Sequence, residues 1–269
     1  MTRRRWIASE FDRETATLTG AQADHLARVL RATAGMQAEI VAGDRLFRAV
    51  VAEVAPAAVR FRLEEELPAA SPSAPPVTLL VAVFKFDRLE WAIEKATELG
   101  VAAIHPALAR RTEKHLAQAA AARVQRWRRI AIEATQQSRG SFVPAIHDPQ
   151  PLATLLAAPL ETPAADTRIL LSEHEAVNPS ALTLADRIQS LAASSEAAVT
   201  LAIGPEGGWT SEETARFAET GWLAASLGPR ILRAETAIIA SLAITASLLA
   251  TDGPHPPSTA QQSFHPRST

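Results

Sequence analysis

The sequence predicts an α/β protein in two parts: a small β-barrel, then a mostly parallel sheet with helices on both faces. Three observations carry this. From Val77 onward, apolar runs of strand length alternate with segments of helical periodicity, as in βαβ units whose parallel strands are buried on both faces. Before that point, short alternating runs surround a single helical segment. Between the two lies Pro68-Ala69-Ala70-Ser71-Pro72-Ser73-Ala74-Pro75-Pro76, a stiff stretch with nothing to pack. The expected division is therefore 1–70 for the first domain, 71–76 for the linker and 77–250 for the second domain. Residues 251–269, rich in Pro, Ser, Gln and His and without periodicity, are expected to be a disordered tail.

In the first part, Ala21 to Leu30 reads as the helix, with Leu26, Val29 and Leu30 on its apolar side. Gly43-Asp44 separates strand Ala38–Val41 from strand Leu46–Val54, a hairpin signal, and Ala58–Leu67 supplies a further strand. Arg45, Arg48, Arg60 and Arg62 lie on or beside these strands, where alternation can gather them on one face. In the second part, strands are expected at Val77–Val83, Ala102–Pro106, Arg168–Leu171, Ala198–Ile203 and Trp222–Ala225. Helices are expected at Asp87–Leu99, Leu116–Gln137, Leu152–Ala157, Ser180–Ala193, Ser211–Glu219 and Glu235–Ala250.

Composition narrows the chemistry. With 269 residues, 47% of them hydrophobic, the chain can bury a sizeable core. Met1 to Glu10 breaks into charge before an apolar stretch develops, unlike a signal peptide. Thr236 to Ala250 falls short of the ~20 residues a membrane span needs. A soluble, cytoplasmic protein without a membrane partner is expected. There is no cysteine, so disulfides, thiolate metal sites and a thiolate nucleophile are excluded, and no metal is expected. The net charge is −2, yet Met1 to Leu63 holds ten Arg against seven acids, and His105 to Gly140 holds seven Arg and one Lys against two Glu. Locally basic surface on a neutral protein suits folded RNA, although composition alone favours Arg123, Arg126, Arg128 and Arg129 as the solvated face of an ordinary helix. The seven histidines are scattered; His105, His115 and His147 read as surface or satisfied polar residues.

The most informative stretch is Leu201 to Ala250. Two turns, Gly204-Pro205-Glu206-Gly207-Gly208 and Leu227-Gly228-Pro229-Arg230, each leave a short apolar run and lead into a helix. Gly207-Gly208 permits positive φ or close approach of a ligand to the backbone, and Thr210-Ser211-Glu212-Glu213 is a capping box. Two such loops at strand ends can face one crevice. The stretches IGPEGGWTSEE and LGPRILRAETA, with KFDRLEWAIEKATELGV (Lys85 to Val101) and HLARVLR (His25 to Arg31) upstream, are similar in content and order to motifs of the RsmE family. These are SPOUT-class enzymes that methylate N3 of a uridine in 16S ribosomal RNA.

That resemblance implies a PUA-like RNA-binding domain, a SPOUT sheet whose C-terminal segment forms a trefoil knot, S-adenosylmethionine as cofactor, and a homodimer acting on 16S rRNA in the assembled small subunit. It implies cofactor contacts at Ser172, Glu173, Ile203, Gly204, Glu206, Gly207, Gly208, Leu227, Gly228, Arg230, Ile231 and Leu232. RNA contacts are expected at His25, Arg28, Arg31, Lys85, Arg88, Arg110 and Arg139. The sequence departs from the family at Glu94, where Gln is common, and at Arg139-Gly140, where Gly-Arg is usual.

Methylation at uracil C5 ordinarily begins with a thiolate adding to the ring, and no thiolate is available. Methylation at N3 needs loss of a proton flanked by two carbonyls and stabilisation of the resulting charge. Glu206 or Glu235 is the candidate base, Arg233 or Arg230 the candidate clamp, and Arg233 the first choice. For Glu235, favourable placement at a helix start is sufficient reason to be there. No G-x-G-x-x-G, P-loop, H-E-x-x-H or G-x-S-x-G motif occurs. Alternatives are a ribose 2′-O methyltransferase of the same class and a non-catalytic ribosome-assembly protein. Intact glycines in both loops count against the latter. The homodimer has a separate physical motive: Glu235 to Ala250 is apolar all round, and such helices are normally buried all round.

Overall fold

The computed structural model describes residues 5–43, 45–55, 57–68, 75–157, 166–173, 175, 181–191 and 198–249. The expected tail and most of the expected linker lie outside the described residues. The first sheet contains β1 (Arg5–Ile7), β2 (Glu10–Phe11), β3 (Thr15–Thr19), β4 (Gln37–Ala42), β5 (Arg45–Ala55) and β6 (Ala58–Leu67), in the spatial order β1-β4-β5-β6-β3-β2. All neighbours are antiparallel except β1 and β4. Ala42 pairs with Arg45, so two residues make the β4–β5 turn, with Gly43 at φ 67°. Trp6, Leu18, Ile40, Val51 and Phe61 fill the interior of this sheet. The strands ahead of the helix, expected only as short runs without bounds, are β1, β2 and β3. The expected single helix is α1 (Gly20–Asp24) continuing into a π-helical turn, His25–Val29.

The four strand arginines do not form a free basic face. Arg45 pairs with Glu66, Arg48 with Glu65, Arg62 with Glu64 at 2.8 Å and Arg60 with Glu53 at 3.8 Å. The acidic run Glu64-Glu65-Glu66, remote from Arg45 and Arg48 in sequence, is brought beside them by the β5–β6 ladder. The arginines of the long helix α3 (Lys114–Ser138) are engaged likewise. Arg123 and Arg126 reach Glu90, Arg128 reaches Asp148 and the Ile146 carbonyl, and Arg129 reaches Glu133. The solvated-face reading holds for this helix.

The second sheet contains β7 (Val77–Ala82), β8 (Ala103–Leu108), β9 (Ala145–Ile146), β10 (Gln150–Pro151), β11 (Asp166–Leu171), β12 (Ala198–Ile203) and β13 (Leu223–Ala225). Every pairing is parallel, in the order β10-β8-β7-β12-β11-β13, with β9 also on β8. Helices α2 (Phe86–Glu98), α4 (Leu152–Ala157), α5 (Leu184–Leu191), α6 (Ser211–Glu219) and α7 (Ala234–Leu249) complete it with α3. Side chains alternate across a strand, and β7 divides accordingly. Leu79 and Val81 pack with α2, α3, α5 and α7, while Leu80 and Ala82 pack with α4, α6, Trp209 and Trp222. The fully buried strands β7 and β12 lie at the centre, so the loops leaving their ends stand on rigid supports.

At the junction between the sheets, Arg5 donates to the Arg139 carbonyl and Gln136 to the Gln22 side chain. Arg139 ends α3 in the left-handed region at φ 59°, the position glycine adopts most freely. A Cβ on Gly140 would stand 2.9 Å from Thr135 Cγ2, so the reversed Arg-Gly order leaves glycine at the crowded position.

His105 is neither at the surface nor fully hydrogen-bonded among the described residues, contrary to the expectation from sequence. It is 4% exposed, its ring stacks on His147 with centroids 4.0 Å apart, and its Nε2 has no partner among the described residues. Burial, then the neighbouring imidazole, pushes its pKa down from 6.5 to about 4. Between those values the unfolded chain binds more protons than the folded one. Stability fully present above pH 6.5 is therefore lost as pH falls toward 4, by at most about 3 kcal/mol. Melting curves should slope upward with pH across this window, and His105→Gln should flatten them; an unchanged acid slope in the variant would exclude this origin.

Candidate active site

Three loops meet at the carboxyl ends of β11, β12 and β13. After Ile203 the chain turns through Pro205, whose carbonyl accepts from the Gly208 amide at 2.8 Å, with Gly208 at φ 69°. The capping box forms as expected: Thr210 Oγ1 accepts from the Glu213 amide at 3.2 Å, and Glu213 Oε2 accepts from the Thr210 amide at 2.8 Å. Glu213 Oε1 also accepts from the Arg110 amide at 2.7 Å, tying α6 to the end of β8. The β11 loop docks through the Ser172 amide, which donates to the Ala225 carbonyl at 3.1 Å. The β13 loop carries Gly228 at φ 104° and leads into α7 at Ala234.

These loops enclose a cavity of about 390 Å³. Ser172 and Glu173 line it from β11; Ile203, Gly204, Glu206 and Gly208 from β12; Leu227, Arg230, Ile231 and Leu232 from β13. Gly207 and Gly228 do not line it. A Cβ on Gly207 would face Arg111 Cδ at 3.3 Å, behind the loop, whereas one on Gly208 would stand 3.1 Å from Glu173 Cδ and closer still to Oε1. Of these two, Gly208 is therefore the glycine that faces the crevice.

Of the catalytic candidates, Arg233 and Glu206 line the cavity, and Glu235 does not. Arg88 Nη1 meets Glu206 Oε1 at 2.8 Å, Lys85 Nζ lies 3.7 Å from Glu206 Oε2, and Arg88 Nε lies 3.9 Å from Glu235 Oε1. Glu235 is 9% exposed, and its other oxygen has no partner among the described residues. Arg230 and Arg233 are exposed on the crevice rim; no side-chain ion pair or hydrogen bond engages either among the described residues.

The expected RNA residues separate into groups. Lys85 and Arg88 belong to the crevice wall. His25, against Trp6 with ring centroids 5.9 Å apart, and the exposed Arg28 and Arg31 belong to the first module. Arg110 lies just beyond β8, and Arg139 ends α3. None of these five lines the cavity. Pro205, Ala234 and Ala237 also line the cavity without having been expected to, and two further residues, Trp209 and Arg111, shape the site. Trp209 lines the cavity while packing edge-on against Phe217, and its indole Nε1 is buried without a partner among the described residues. Its position next to the glycines was the available signal. Arg111, 96 residues before Gly207, offered none.

Residues 71–246 match the family described as RNA methyltransferase domain. A ribosomal RNA small subunit methyltransferase E from Mycobacterium bovis is 33% identical over 234 residues, 84% of each chain. The enzyme of that name from Neisseria gonorrhoeae, solved bound to S-adenosylmethionine, superposes with a TM-score of 0.76 at 28% identity, covering 91% of this chain and 97% of that one. A Legionella pneumophila protein solved with the same cofactor gives 0.74 at 28% identity, covering 90% and 96%.

A crevice at the carboxyl ends of parallel strands, walled by two glycine-proline loops and preceded by a strand-rich module, defines a SPOUT-type RNA methyltransferase. Within that class, the chain belongs to the RsmE family of ribosomal RNA small subunit methyltransferases.

Proposed function

We propose that this protein transfers a methyl group from S-adenosylmethionine to N3 of a specific uridine in 16S rRNA, working in the cytoplasm on the assembled small subunit. The cavity at the three loop ends carries this reading. Its residues suit the cofactor: Gly208 leaves room that a Cβ would fill, Ile203, Leu227 and Leu232 offer apolar contact, and Glu173 offers a negative charge for a sulfonium. When bound, the cofactor supplies an electrophilic methyl group. Arg233, with Arg230, holds the charge that spreads onto O2 and O4 as N3 loses its proton. Glu206 is the catalytic carboxylate candidate that lines the cavity, while Glu235 braces Arg88 from behind. Residues 1–70 hold the RNA, and 77–250 bind the cofactor and perform the chemistry. Incubation with labelled cofactor and small subunits lacking the modification should label 16S rRNA; no incorporation into subunits or free rRNA would contradict the proposal.

We propose further that two copies pair through α7. Its flanks already pack on α2 and α5, so less of the helix is uncovered than its composition suggests. The remaining stripe, Thr236, Ile239, Ala240, Ala243 and Ser247, is exposed or half-buried and carries no charge. A two-fold contact would bury it beside the crevice. Sedimentation equilibrium should give a dimer at micromolar concentration, with Ala243→Glu shifting it to monomer; a monomeric wild type would contradict the pairing.

A further inference from the structure

The geometry points to Arg111 as a positioning residue that fixes the cofactor loop from behind, an inference that rests on the reading of the cavity as the S-adenosylmethionine site. Its Nη1 donates to the Gly207 carbonyl and, at 3.3 Å, to the Trp209 carbonyl. These two acceptors flank Gly208, the residue whose left-handed backbone and close approach to Glu173 shape the cavity wall. The peptide that ends in the Gly207 carbonyl also carries the Gly208 amide, which points the other way to Pro205 O at 2.8 Å. That peptide plane is thus held from both sides, by Arg111 and by the turn.

The Arg111 backbone is itself well placed to act as a support. The preceding amide, of Arg110, donates to Glu213 Oε1 at 2.7 Å, and the following side chain, Thr112 Oγ1, donates to the Val83 carbonyl at 3.1 Å. The segment is tied to the start of α6 and to the end of β7, and Arg111 extends from it to the loop. A side chain on Gly207 would be confined by the same arginine.

Two adjacent glycines leave a loop many conformations of similar energy. Glycine permits the conformation that the cavity needs, but does not select it. Arg111 supplies the selection, by giving two carbonyls a charged donor in one loop conformation. Without it the competent conformer becomes a fraction of the population, and apparent cofactor affinity falls by that fraction. Because Arg111 does not line the cavity, turnover at saturating cofactor should be nearly unchanged.

The test compares wild type, Arg111→Ala and Arg111→Lys by calorimetry with S-adenosylmethionine and by steady-state methylation, with folding verified by thermal melts. Arg111→Ala should raise both the dissociation constant and KM for the cofactor at least tenfold, with kcat within about twofold. Arg111→Lys, with one ammonium in place of the fork, should recover part of the loss. Lys114→Ala, which removes a nearby positive charge, should leave both constants unchanged. Unchanged affinity in folded Arg111→Ala, or a fall in kcat alone, would overturn the inference while leaving the cavity's assignment intact. If the alanine variant does not fold, the lysine variant is read the same way, and wild-type affinity in it would overturn the inference. A wild type that binds no S-adenosylmethionine would overturn the cavity's assignment and the inference together.

Discussion

Gly208→Val is expected to weaken S-adenosylmethionine binding by about 100-fold or more while leaving RNA binding in place. Two penalties combine. The left-handed conformation at φ 69° costs a side-chain-bearing residue roughly 1–2 kcal/mol, and more for a β-branched one. The new Cβ would also press on the Glu173 carboxyl group, forcing either that side chain or the loop out of the crevice. The valine branches would then extend into the space between the two loops. Gly207→Ala should be milder, because its Cβ faces the Arg111 side chain instead of the cavity. Calorimetry on the folded proteins decides the matter: wild-type cofactor affinity in Gly208→Val would refute the geometry proposed for the loop.

Arg233→Ala should lower kcat by about 10²–10³-fold, the range seen when one preorganised donor to a developing anion is removed. KM for the cofactor should change by no more than a few-fold. Four cations line the cavity. Lys85 and Arg88 are engaged with Glu206, and Arg88 is also close to Glu235. Arg230 and Arg233 are therefore the cations proposed to meet the substrate, and Arg233 adjoins the start of α7, whose amino end favours negative charge. Arg230→Ala should cost less in kcat and more in RNA affinity. Single-turnover methylation with saturating cofactor measures the chemical step directly; a rate within fivefold of wild type in Arg233→Ala would place the clamp elsewhere.

Local signals in the sequence were reliable where the physics is local. The capping box at Thr210 and Glu213 set the start of α6, and α4 and α6 have the expected bounds. Gly43 marked a two-residue hairpin because its positive φ is needed there. Burial of β7 and β12 followed from their continuous apolar runs. What could not be read depended on distant partners. β1 is three residues long and is held by parallel pairing to β4, more than thirty positions away. The arginines of β5 read as RNA-binding charge until the sheet register placed Glu65 and Glu66 beside them. His105 read as an ordinary polar residue because its burial depends on the neighbours of β8. The role of Arg111 follows from a loop 96 residues later.

The reaction proposed for this crevice is methyl transfer to N3 of a uridine in small-subunit RNA. Nucleoside mass spectrometry of 16S rRNA, after incubation of unmodified subunits with the protein and isotopically labelled S-adenosylmethionine, tests it most directly. Labelled N3-methyluridine is expected at a single position, absent when Gly208→Val replaces the wild type. Label recovered in a 2′-O-methylated nucleoside, or no labelled nucleoside with a protein that binds the cofactor, would contradict it.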